Sequence, residues 1–115
     1  MPPPSSLTQT AFTIAAGESL SPAVDCSPGT PVFLLTPASW DPAGGVSFQA
    51  SADGVVFADV MTNDGSELVM SFTAGAGIML PGQLHWAASL KMRSGTRNAP
   101  IIQAADRTFT VILQT

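Results

Sequence analysis

Charge is what this 115-residue chain lacks most. Lys, Arg, Asp and Glu together make up 10% of it, against about a quarter of an average soluble domain. Tyrosine is absent, and Cys26 is the only cysteine. An intrachain disulfide and a cysteine-built zinc site are therefore both excluded. His85 is the only histidine, which leaves acid–base and metal chemistry few candidates. No G-x-S-x-G elbow, H-E-x-x-H pair or phosphate-binding loop is present, and Gly75-Ala76-Gly77 lacks the third glycine of a dinucleotide site. No window approaches the ~20 apolar residues that a bilayer-spanning helix needs. Met1 is followed by Pro2, Pro3, Pro4, Ser5 and Ser6, without the basic start and apolar stretch of a secretory leader. The expectation is a chain made, and used or assembled, in the cytoplasm of its producer.

What is present fits that sparse charge poorly for a lone molecule. Mean hydropathy is +0.31, yet a monomer of this mass exposes about 6,000 Å² to water. Either Ser, Thr, Gln, Gly and Pro cover the surface, or other protein covers part of it. The sequence reading favours a non-enzymatic structural or binding subunit that works in an assembly. The few charges are also segregated. Seven acidic residues and no Lys or Arg precede Lys91, whereas Lys91, Arg93, Arg97 and Arg107 all fall in the last quarter. These four are a candidate basic contact edge, weighed against ordinary solvated strand ends. Four cations on an acidic chain of net charge −4 are too few for a nucleic-acid footprint.

Residues 1–10 read as an extended proline-rich arm, because three successive prolines lack backbone donors and favour polyproline geometry. Pro2, Pro3, Pro4 and Leu7 are its candidate partner contacts. From Thr10 the pattern alternates with period two through Phe12 and Ile14, as in a half-buried strand. Leu20–Val24 can form a short edge element. Val32–Leu35 is a continuous apolar run, expected of a strand buried on both faces. Val46–Ser51 runs into Asp53-Gly54, a type I′ hairpin signal, and then Val55–Val60. Asn63-Asp64-Gly65 leads similarly into Leu68–Thr73. Short strands are also expected at Ile78–Leu80, Trp86–Met92, Ile101–Gln103 and Thr108–Leu113. About eight short strands with turn signals every ~8–12 residues predict an all-β, antiparallel β-sandwich at 11–115, jelly-roll-like.

Two constellations are weighed within that frame. Asp53, Asp59 and Asp64 invite a calcium reading, but two of them sit in turn signals and no D-x-D-x-D run exists; no metal or cofactor is expected. Trp40 and Trp86, with His85 beside the latter, are candidate interface anchors or an aromatic platform for a glycan, against the plainer reading of core or loop-plug tryptophans.

The stretch Val46-Ser-Phe-Gln-Ala-Ser-Ala-Asp-Gly-Val-Val-Phe-Ala-Asp59 resembles a strand, Gln-Ala-Ser-x-Asp-Gly, strand unit. Leu90-Lys-Met-Arg-Ser-Gly-Thr96, then Pro100, Gln103-Ala-Ala-Asp-Arg107 and the last strand, is similarly distinctive. From Pro31 to Leu113 the chain resembles small β-sandwich virion-associated proteins of tailed bacteriophages and prophages. The resemblance implies a structural protein of the virion, and first among such roles a capsid decoration or cement protein. It would bind the major capsid protein or other virion proteins as a homo-oligomer, with a trimer as the starting guess. It carries over no catalytic residue. A receptor- or glycan-binding module of a fibre or tail, and a tail or connector component, stay open as alternatives.

Overall fold

The computed structural model describes residues 7–41, 43–71 and 73–115. They form two four-stranded antiparallel sheets packed as a sandwich. The strands are β1 (Leu7–Ile14), β2 (Val24–Asp25), β3 (Thr30–Leu35), β4 (Val46–Ser51), β5 (Ala58–Asp59), β6 (Gly77–Met79), β7 (Ser89–Ser94) and β8 (Arg107–Gln114). Among the described residues the one helical element is a 3-10 turn, Gly82–Leu84. One sheet has the order β1-β8-β3-β6 and the other β2-β7-β4-β5. Only β4 and β5 are neighbours in both chain and sheet; every other connection crosses from one sheet to the other. The expected all-β sandwich is thus the fold.

Alternation builds its core. Phe12 and Ile14 of β1, Phe109, Val111 and Leu113 of β8, and Leu34 of β3 point inward and are fully buried. From the opposite sheet they meet Phe48, Leu90 and Met92, also fully buried. Phe12 and Phe48 pack edge to face across the sandwich, with centroids 6.2 Å apart. Aromatic pairs favour this geometry because the positive ring edge meets the negative face.

Several local expectations are corrected. Residues 7–10, read as part of the arm, belong to the sandwich, because Leu7–Thr10 extend β1 in unbroken register against Gln114–Val111. Four uncharged residues without proline simply continue the ladder. Of the arm contacts, Pro2, Pro3 and Pro4 lie outside the described residues, and Leu7 is a strand residue. β3 is buried on one face only: Leu35 is exposed and Phe33 half-buried. Neither Asp-Gly turn is type I′, since Gly54 and Gly65 have positive φ but no non-glycine residue does. Side chains set these turns instead. Asp53 Oδ1 accepts from the Val55 and Val56 amides at 2.8 and 3.0 Å, and the Gly54 amide donates to Ser51 Oγ at 2.8 Å. Among the described residues the Leu68–Thr73 strand reduces to a single bridge, Met70 to Val46. The strand foreseen from Trp86 begins only at Ser89, because the 3-10 turn and the bend after it occupy the preceding residues. Ile101–Gln103 is a loop, with Ile101 N–H donating to Ser94 O.

Polar side chains lock the crossing loops. Gln103 is fully buried; its Oε1 accepts from Asp41 N–H at 2.9 Å and its Nε2 donates to Asp41 O at 3.2 Å. Arg93, 7% exposed, is the centre of the second lock. Its Nε donates to Ser47 Oγ at 3.0 Å, and its Nη2 to Asp59 Oδ1 at 2.9 Å and Glu67 Oε2 at 2.8 Å. β7, β4, β5 and the 61–67 hairpin therefore converge on one guanidinium. Glu67 also accepts from the Arg97 amide. That amide sits just past Gly95, whose φ is +87° and where a Cβ would stand 2.5 Å from Ala99 O; only glycine fits.

Removing one partner of a buried ion pair leaves the others desolvated and unpaired, at a cost of about 3 kcal/mol at the exposed end of the usual range. Arg93→Met is therefore expected to lower unfolding free energy by about 3 kcal/mol in urea. Arg93→Met with Asp59→Asn and Glu67→Gln should recover most of it. Equal stability of Arg93→Met and wild type would mean that the cluster is not what holds β5 and the 61–67 hairpin.

Candidate functional site

Two surface features stand out from this frame, on different parts of the sandwich. The first is the outer face of the β1-β8-β3-β6 sheet. Register places Gln9, Ile112, Phe33 and Met79 in one row across it, and Ala11, Thr110, Leu35 and Gly77 in the next. Leu7 and Gln114 lie on one side of these rows, Thr13 and Thr108 on the other. No charged side chain occupies an outward position. Met79 is 69% and Leu7 66% exposed, and Leu35 adds to them. Phe33 and Leu35 lie over Gly77, where a Cβ would come within 2.7 Å of the Phe33 ring. The face is thus an apolar and amide/hydroxyl surface.

The same sheet has the longest open edge. The other edge strands, β2, β5 and β6, span two or three residues, whereas β1 spans eight. Short edges protect a sheet from pairing with another chain; β1 has no such protection. Thr36 N–H donates to Ala76 O and Leu80 N–H to Val32 O, so even-numbered residues of β3 face β6. Alternation carried through β8 then turns the backbone groups of Leu7, Gln9, Ala11 and Thr13 outward. Among the described residues they meet no partner there.

The second feature is an open pocket of about 380 Å³ lined by Asp59, Val60, Met61, Asn63, Gln83 and Trp86. Trp86 is 58% exposed. It is presented by the 3-10 turn, anchored on either side by buried Leu84 and Ala87. Asp59 is held by Arg93 from behind, and the side chain keeps 25% exposure.

The tryptophan candidates separate. Trp40 is buried and packs edge to face on Phe109, 5.1 Å between centroids, so it is a core residue and leaves Trp86 as the surface tryptophan. His85 is exposed at the end of the 3-10 turn and does not line the pocket. The four basic residues form no common edge. Arg93 is neutralised by two carboxylates, Lys91 lies 4.5 Å over the Phe57 ring, and Arg107, on the other sheet, donates to Gln103 Oε1 at 3.3 Å. Arg97 is exposed. Sequence reasoning missed Gln83 and Asn63, for which spacing holds no signal, and it missed the outer-face rows, which only register reveals. Among the described residues no group of three His, Cys, Asp or Glu is arranged to hold a metal.

Three titrating groups are shifted, and of these Asp64 is held below the usual carboxylate range by the Thr62 hydroxyl and then the Ser66 amide. Burial, and then the Asp25 charge, push the Cys26 thiol from 9.0 up to about 11. Amides of Val55 and Val56, with the Ser51 hydroxyl, hold Asp53 down to about 2. Because the folded thiol keeps its proton longer than the unfolded one, its contribution is complete below pH 9 and is lost as pH rises toward about 11. The native protein is therefore expected to resist a thiol reagent at pH 8 until denaturant is added. Cys26→Ala should flatten the fall in stability between pH 9 and 11. Rapid native labelling at pH 8 would contradict the buried, protonated thiol.

Comparison of the chain with protein-family models, with curated proteins and with solved structures returns no match.

Proposed function

We propose that this chain is a non-enzymatic structural protein of a tailed-bacteriophage virion, a decoration subunit that docks on the assembled capsid through the outer face of the β1-β8-β3-β6 sheet. The observation that carries this reading is the complete lack of charge on that face, with Leu7, Phe33, Leu35, Met79 and Ile112 distributed across it. Desolvating such a face strands no ion, so burial against a neutral capsid surface gains apolar area at little electrostatic cost.

Three further features support it. The strand orders 1-8-3-6 and 2-7-4-5 fit a jelly-roll winding, an architecture of viral capsid and lectin domains; this is fold-level analogy. The sequence from Pro31 to Leu113 resembles virion-associated proteins. Pro2, Pro3 and Pro4 precede β1 in the sequence, and successive prolines favour an extended segment of the kind that lies along a neighbouring subunit. A subunit that binds the assembled particle and not dispersed capsid protein stabilises the particle by mass action. Against an enzyme stand the exposed lone His85 and the protonated Cys26. The alternative of a receptor- or glycan-binding module draws on the Trp86 pocket beside β5, on the other sheet.

Met79→Glu puts a charge at the most exposed large apolar side chain of the face without touching the core. The expectation is an unchanged melting temperature and at least a tenfold loss of occupancy on capsids reconstituted without the endogenous protein, read by co-sedimentation and cryo-electron microscopy. Full occupancy by the variant would overturn this docking face.

A further inference from the structure

From the pocket beside β5 we infer a binding site for a single neutral pyranose sugar, with Trp86 as its stacking platform. The inference is independent of the capsid-docking reading, since β5 belongs to the other sheet.

The pocket of about 380 Å³ lies at the small end of ligand sites, which run from about 300 to 1,000 Å³. It suits one ring and excludes a long chain buried along its length. Its composition combines an aromatic face with hydrogen-bonding groups. Trp86 offers an indole more than half exposed, onto which the C–H face of a pyranose can stack. Asn63 and Gln83 each bring an amide that both donates and accepts. Among the described residues neither amide is used in an intramolecular hydrogen bond, so both are available to vicinal hydroxyls. Asp59 brings a carboxylate that only accepts. Its Oδ1 is fixed by Arg93 at 2.9 Å, so it is positioned before any ligand arrives. Preorganised groups lose less freedom on binding.

The same electrostatics choose among flat ligands. A nucleobase also stacks on tryptophan, but a nucleotide or nucleic acid brings phosphate, and Asp59 is the charged residue that lines the pocket. The nearest guanidinium, Arg93, is buried and already paired with Asp59 and Glu67. An acidic sugar meets the same repulsion. A neutral hexose or N-acetylhexosamine does not, and Val60 and Met61 supply apolar wall for its C–H or methyl groups.

The test is titration of the full chain with methyl β-glucoside, methyl β-galactoside and N-acetylglucosamine to 50 mM, followed by NMR of the Trp86 indole N–H and the Asn63 and Gln83 side-chain amides. N-acetylneuraminic acid and AMP serve as charged comparators. The expected result is saturable shifts confined to these groups with at least one neutral sugar, at millimolar affinity. Trp86→Ala, at an exposed position, should keep the melting temperature and lose binding at least tenfold; Gln83→Ala should weaken it several-fold. No saturable shift with any of the three neutral sugars, binding that survives Trp86→Ala, or tighter binding of either charged comparator would each overturn the inference.

Discussion

The Arg93 guanidinium is the point on which the β2-β7-β4-β5 sheet depends. It sits in the central strand of a chain with only four basic residues and is nearly removed from water. A charge in that position is tolerated only when paired and hydrogen-bonded. Ser47, Asp59 and Glu67 meet this need from three separate segments. β5 spans only two residues, too few for its ladder to fix it, so the ion pair supplies what backbone pairing does not. The consequence reaches the surface, because Asp59 is at once the partner of Arg93 and a wall of the Trp86 pocket. The rigidity of that wall comes from the buried cation.

The sandwich divides its labour between sheets. Charge is concentrated on loops and on the Arg93 side, where Asp59 and Glu67 pair with the guanidinium and Asp53 and Asp64 cap turns. The outer face of the β1-β8-β3-β6 sheet receives none. A monomer made only for solubility gains by spreading charge over such a face; leaving it bare, next to an eight-residue open edge, fits a surface that meets protein. The Trp86 pocket, built on a strand of the other sheet, is compatible with a subunit that docks by one side and meets small ligands on another.

Winding explains why the loops carry so much hydrogen bonding. Because all but one connection passes between sheets, the contacts that close the fold are distant in sequence, and each crossing loop must be fixed where it lands. Gln103 fixes the 95–106 segment to Asp41, and its backbone reaches Gly17 and Glu18. Thr36 Oγ1 ties the end of β3 to the loop before β6 through Thr73 O and Ala76 O. These side chains stand in for the short hairpins that a simple meander would use.

Alternation at Phe12-Thr13-Ile14 and Phe109-Thr110-Val111 determined two core strands and their inward faces, because a strand's side-chain period is a local property. Turn residues every few positions determined an all-β chain. Local pattern failed where side chains or tertiary contacts decide the backbone: Asp53 and Ser51 replaced the expected turn type, and the 3-10 turn displaced the start of β7. A continuous apolar run also did not reveal which face of β3 lies open, since that depends on whether a second layer covers it. The two candidate surfaces were legible only in part. Trp86 was named from its residue type, and its separation from Trp40 required knowing that Phe109 packs on one while the other stays more than half exposed. Register alone brought Leu7, Phe33, Leu35, Met79 and Ile112 onto one face. The sequence by itself determined composition, strand periodicity and the scarcity of charge. The tertiary structure decided which charges are spent internally and which surfaces remain bare, because both depend on pairings between residues far apart in the chain.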